Sequence, residues 1–183
     1  MNNSNSAQPK GFTIIELVIV IVLIGIISAI IMSRFLGGNT FTPSIVQQQI
    51  ISLARIAQQS SLGRADVTLT ITPNAGGDQV TIEAEESAGA TTIQAVTIPM
   101  DSVTLSGDIN KTASCAVDDG DTAITNAAPM VLDFGELGDL QDSGIGGGAA
   151  AITSAVRICI NNSAADSICV APSGFAYAGD CDV

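Results

Sequence analysis

Lys10-Gly11-Phe12-Thr13-Ile14-Ile15-Glu16-Leu17 opens an apolar run that continues to Met32 and contains a single charge, Glu16. The run from Ile14 to Met32 is close to the ~20 residues that cross a hydrocarbon core as a helix. It is longer than the apolar region of a secretory signal peptide, and no small-residue cleavage site follows it. A carboxylate in such a segment is costly, about 2.5–3.5 kcal/mol at the centre of a membrane helix. A plain anchor would place Leu or Ile there, so the sequence predicts a cationic partner for Glu16. Lys10 before the run and acids after it predict a cytoplasmic N-terminus.

Beyond the run, Gly37-Gly38-Asn39 and Thr42-Pro43 predict a joint over 37–43. A second helix is predicted from about Ser44 to Leu62, with Thr42 as N-cap, Pro43 at its first position and Gly63 as its stop. Ile45, Ile50, Leu53, Ile56, Ala57 and Leu62 form its apolar stripe, and Gln47, Gln48, Gln49, Gln58 and Gln59 fill the remainder. If the joint were helical, residues 12–62 would make a rod of roughly 75 Å at ~1.5 Å per residue.

From residue 64 the pattern becomes β. Short runs at 67–72, 79–84, 92–98, 102–105, 130–134, 155–160, 167–170 and 175–177 suggest antiparallel strands, with a hairpin turn at Gly76-Gly77-Asp78. Residues 106–128 and 138–153 are rich in Gly, Ala, Asp and Ser and are expected to be surface loops, with 144–151 mobile. The fold class is therefore α+β: a long N-terminal helix, apolar then amphipathic, packed on an antiparallel β domain. The divisions are 1–11, 12–36, 37–63 and 64–183.

The net charge is −12 and the chain has no His and no Trp. From residue 65 onward 17 acids stand against two bases, Lys111 and Arg157. Such a surface repels nucleic acid and anionic lipid. Without His there is no imidazole for catalysis or zinc binding, and no cofactor or metal is expected. Cys115, Cys159, Cys169 and Cys181 all lie in the β part, which suggests disulfides in an oxidising compartment. Cys159 and Cys169 lie symmetrically about Asn161–Ser167, which suggests a bond across a hairpin and leaves Cys115 for Cys181.

Other constellations have ordinary readings. Asp118-Asp119-Gly120-Asp121 has carboxylates for calcium but not the spacing of an EF-hand loop. Glu83, Glu85 and Glu86 read as a solvated strand end. Ser60, Ser61 and Ser173 have no His to activate them, and Lys111 is distant in sequence. Residues 144–148 are glycine-rich but lack the G-K-[ST] ending of a phosphate loop. Arg157, in a strand, is expected to answer nearby acids.

The stretch from Lys10 to Leu17, followed by an apolar helix and an amphipathic continuation, resembles the prepilin motif of type IV pilins and type II secretion pseudopilins. The resemblance implies cleavage by prepilin peptidase between Gly11 and Phe12, removal of 1–11, and N-methylation of Phe12. It implies that Glu16, with Thr13 beside it, serves assembly. The new ammonium at Phe12 would meet Glu16 within one helix or, as the resemblance favours, on a neighbouring subunit. Partners implied are other pilin subunits, the peptidase and an inner-membrane assembly platform. The implied location is the bacterial inner membrane with the β domain periplasmic, then the fibre. Ser33 stands where many relatives carry Pro, so flexibility there would fall to Gly37-Gly38. Val131–Gly138, Arg157 and Ser173-Gly174-Phe175 are similar to minor pseudopilins of the GspH/FimT type. Arg34-Phe35-Leu36 and Ile168–Gly174 are similar to MSHA-pilus minor pilins. The implied role is a minor pilin. A major subunit, a secretion pseudopilin and a tip adhesin or DNA-uptake pilin are the alternatives, the last disfavoured by the acidic, aromatic-poor domain.

Overall fold

The computed structural model describes residues 13–35, 42–64, 66–86, 91–110, 115, 121–179 and 181, with backbone alone in 29–35. The Gly11–Phe12 cleavage point, the Gly37-Gly38 joint, Lys111 and Asp118-Asp119-Gly120 lie outside these residues. The chain divides into two compact units, residues 1–38 and 39–183.

The first unit holds helix α1, Ile14–Phe35. Every α1 side chain described, Ile14 to Ser28, is exposed. Ser28 Oγ donates to the Ile24 carbonyl at 2.7 Å, so its hydroxyl is satisfied within the helix. A helix that is apolar on all sides has no face for water and needs an apolar surround. Among the described residues, no helix is long and apolar enough to cross a membrane.

The second unit begins with α2, Thr42–Ser61. Gly63 takes φ +75°, the left-handed conformation that ends a helix, and the Arg64 N–H closes onto the Ser61 carbonyl. The buried stripe is Val46, Ile50, Ile51, Leu53, Ala54 and Ala57, while Ile45 and Leu62 are exposed and Ile56 is half-buried. The expected stripe is thus rotated, and polar side chains explain the rotation. Gln47 Nε2 donates to Ser167 O at 2.9 Å, Arg55 Nε and Nη2 to Ala176 O at 3.2 and 3.1 Å, and Gln58 Nε2 to Ser173 O at 2.8 Å. These bonds turn part of the glutamine-rich face onto the domain.

Eleven strands follow among the described residues: β1 Val67–Pro73, β2 Gln79–Glu86, β3 Thr91–Pro99, β4 Leu105–Asp108, β5 Thr122–Ala123, β6 Met130–Phe134, β7 Leu140–Ile145, β8 Gly148–Ala151, β9 Val156–Ile160, β10 Ser163–Val170 and β11 Ala176–Ala178. They make a six-stranded sheet, β3-β2-β1-β6-β7-β8, and a five-stranded sheet, β11-β10-β9-β4-β5. All strand pairings among the described residues are antiparallel, as expected. The alternating buried residues of β1 (Val67, Leu69, Ile71) and of β9 (Val156, Ile158, Ile160) share one core with α2.

Three strand expectations change. The run expected over 102–105 is instead β4 at Leu105–Asp108, because Ser102 sits in a turn at φ +69°. Residues 138–153, expected as a loop, contain the β7–β8 hairpin. Gly146 and Gly147 at φ +71° and +90° supply a tight turn that alanine-rich β8 could not signal by side-chain type. Two-residue β5 also falls inside an expected loop.

The disulfides differ as well. The structure bonds Cys115 to Cys159 (Cα–Cα 5.5 Å) and Cys169 to Cys181 (Cα–Cα 5.2 Å). The β9–β10 turn is not the seven-residue stretch its symmetry suggested. Asn161 and Asn162, both at φ +53°, form a two-residue turn with Ile160 opposite Ser163, and a register shift follows. Cys169 therefore faces Arg157, with Cys159 on the diagonal. Diagonal neighbours lie roughly 7–8 Å apart, beyond disulfide reach.

Candidate processing and assembly site

The first turn of α1 is built by Thr13. Its carbonyl accepts from the Glu16 and Leu17 N–H groups at 3.1 and 3.3 Å, and its Oγ1 accepts from the Glu16 N–H at 3.3 Å. Thr13-Ile14-Ile15-Glu16 is thus the start of a capping box, a T-x-x-E signal present in the sequence. Glu16 occupies the third helical position, where a carboxylate also answers the positive end of the helix dipole. The structure gives Thr13 a local task, fixing where α1 begins, and holds Glu16 on an otherwise apolar helix. Gly25 has nothing within 4 Å of the place a Cβ would occupy.

In the β domain, Arg157 is 1% exposed. Asp108, opposite it on β4, approaches Nη2 at 3.6 Å, and Asp121 at the entry to β5 at 3.1 Å. Arg157 answers nearby acids, as expected. All five residues of β9 are buried; Asp121 and Cys115 meet it through Arg157 and Cys159, and Cys181 Sγ lies 3.7 Å from the Val156 carbonyl. Cys115, Asp121 and Cys159 place three metal-type donor atoms within 4.8 Å of one another. Both sulfurs are committed to a disulfide, and Asp121 is committed to Arg157. This cluster closes the fold. Of the acidic stretch 118–121 only Asp121 is among the described residues, and its carboxylate faces the guanidinium.

On the six-stranded sheet, Asp133 faces Asp142 across β6–β7. Burial, then Asp66, then Asp142 push the Asp133 carboxyl above its ordinary value of 3.8. The folded chain therefore holds this proton more tightly than the unfolded chain does. Its contribution falls as pH rises from about 3.8 through the raised folded value. Asp133→Asn is expected to flatten that slope and to add stability at neutral pH, up to about 1 kcal/mol because solvent screens a half-exposed group. Urea unfolding between pH 4 and 7 measures it; an unchanged slope would contradict the assignment.

Glu83 accepts from Thr92 Oγ1 at 2.7 Å, and Glu86 pairs with Arg64 at 3.6 Å, so these acids are strand-surface groups. Ser61 Oγ donates to the Gln58 carbonyl, an engagement within α2. A cavity of about 580 Å³ between the β1–β2 turn and residues 123–127 is lined without a titratable side chain. The turns carrying Gly138 and Gly174 meet at one corner of the domain. Gly174, at φ +79°, lies so close to the Gly138 carbonyl that a Cβ would collide with it. Leu62, Leu137 and Phe175 are exposed around this contact, with Arg55 5.2 Å from the Phe175 ring centroid.

Residues 7–32 match the family model of the prokaryotic N-terminal methylation motif. No curated protein and no solved structure matches the chain. The motif implies a type IV pilin-like or pseudopilin-like protein, processed by prepilin peptidase and membrane-anchored before assembly.

Proposed function

We propose that this chain is a minor pilin subunit, cut between Gly11 and Phe12, methylated on Phe12, and assembled through α1 into a type IV pilus or related envelope fibre. The observation that carries the reading is the capped start of an all-apolar helix with Glu16 in its first turn, inside the matched motif. Residues 12–36 would span the inner membrane, with the acidic β domain on the periplasmic side.

Glu16 is neutralised by a neighbouring subunit's ammonium, with the ion pair setting the stagger between subunits. Fibres sheared from cells are expected to contain the processed chain at low abundance. Retention of all processed chain in the membrane fraction would overturn the assignment.

A further inference from the structure

Asp121 divides its carboxylate between two neighbours. Oδ1 meets Arg157 Nη2 at 3.1 Å, and Oδ2 lies 3.1 Å from Cys159 Sγ. The side chain is only 7% exposed. Cys159 is bonded to Cys115, so its sulfur has no proton to donate. Among the described residues, Oδ2 is therefore turned toward a group that cannot satisfy it, in a place where an unmet carboxylate oxygen is costly.

The oxidised form does not explain this contact, but the form that precedes it does. Cysteines enter a chain as thiols, and Cys115 and Cys159 are a dithiol until they are oxidised. Two of the three donors keep their places without the S–S bond. Cys159 sits inside β9, opposite Ser106 of β4, and Asp121 is held by Arg157. The donor atoms of Cys115, Asp121 and Cys159 lie within 4.8 Å of one another. A tetrahedral zinc ion, with bonds of about 2.3 Å to sulfur and about 2.1 Å to oxygen, sets its donors about 3.6–3.8 Å apart.

We propose that the Cys115–Cys159 dithiol and Asp121 bind a soft divalent cation of the zinc class before the disulfide forms, so that metal and S–S bond are alternative closures of the same site. Thiolates select such a cation over calcium or magnesium. Binding releases the two thiol protons, Asp121 Oδ2 supplies the third ligand, and water fills the fourth position. Two thiolates and a divalent ion sum to zero charge, as the disulfide does, so the setting of Arg157 between Asp108 and Asp121 carries over. Oxidation then requires the cation to leave. The two thiolates pass two electrons to an incoming disulfide, which takes up two protons and departs as two thiols. The Cys169–Cys181 pair is an internal control: among the described residues, no group of three metal-type donors includes it. The site does not depend on fibre assembly.

The test uses the full chain in mild detergent, with both disulfides opened by a phosphine, and Co2+ as the spectroscopic probe. One Co2+ per chain is expected, with a thiolate-to-cobalt charge-transfer band. Asp121→Asn should weaken its binding about tenfold or more. Cys169→Ser with Cys181→Ser should leave the band in place, and Cys115→Ser with Cys159→Ser should remove it. A second readout needs no variant: one equivalent of Zn2+ should slow closure of Cys115–Cys159 by a thiol–disulfide mixture and leave Cys169–Cys181 unaffected, as peptide mapping reads. A Cys159 thiol that merely donates to Oδ2 gives no cobalt band, and that result would overturn the proposal. So would a band carried by Cys169 and Cys181, or an affinity indifferent to Asp121→Asn. A reduced chain that loses its circular dichroism and does not regain it with Zn2+ would overturn it as well.

Discussion

Glu16→Leu is expected to leave membrane insertion intact and to reduce incorporation into sheared fibres about a hundredfold. Removing the carboxylate makes the isolated helix more apolar, so insertion does not suffer. The loss falls on assembly, where a neighbour's ammonium is left in hydrocarbon without its counter-charge. An uncompensated charge there costs about 2.5–3.5 kcal/mol, and each 1.4 kcal/mol is a factor of ten. Glu16→Gln separates charge from shape: it keeps length and polarity but not the ion pair, and should behave like Glu16→Leu. Thr13→Val is the opposite control. It removes the Oγ1 cap, worth typically ~1 kcal/mol of helix stability, and keeps the charge, so its incorporation defect should be much the smaller. Quantitative immunoblotting of fibre and membrane fractions reads all three. Equal defects in Thr13→Val and Glu16→Gln would mean that Glu16 acts through helix capping rather than through charge.

Arg157→Met should be the most destabilising single substitution in the β domain, by about 3–5 kcal/mol. The arginine is buried together with the Asp108 and Asp121 side chains, and its removal leaves two buried carboxylates without this cation. For a chain of this size each kcal/mol moves the melting temperature by about 2–4 °C, so a fall of roughly 10 °C is expected. The triple variant Arg157→Met, Asp108→Ala, Asp121→Ala should recover much of the loss, because a buried ion cluster contributes little over an apolar replacement while a broken one costs heavily. Thermal denaturation of the oxidised protein, followed by circular dichroism, decides. A triple variant less stable than Arg157→Met would show that the acids serve something other than the arginine.

What could be read from residues alone follows from where the information sits. The apolar run, Gly63 and the β1–β2 hairpin are local patterns, and local patterns survived. The T-x-x-E start of α1 is equally local, with Thr13 Oγ1 accepting from the Glu16 N–H. The α2 stripe was misplaced around Ile45 and Val46, since Gln47, Arg55 and Gln58 bond to carbonyls on and beside the five-stranded sheet, contacts that no helical period encodes. The β7–β8 hairpin was hidden because Gly148-Ala149-Ala150-Ala151 has little strand preference of its own and is held by its partner. The disulfide pairing failed on register: the Asn161-Asn162 turn and the shift after it move Cys169 opposite Arg157. Asp108 and Asp121 are 49 and 36 positions from Arg157 in sequence, so their meeting needed the sheet.

The central claim is that this chain loses a leader and exposes a new amino end inside the apolar helix's entry, where Glu16 of another subunit can meet it. Mass spectrometry of the chain recovered from cell envelopes tests it most directly. The account predicts a mature protein that begins at Phe12 and carries one extra methyl group on its amino nitrogen. A mature protein still carrying Lys10-Gly11 ahead of Phe12 would contradict it.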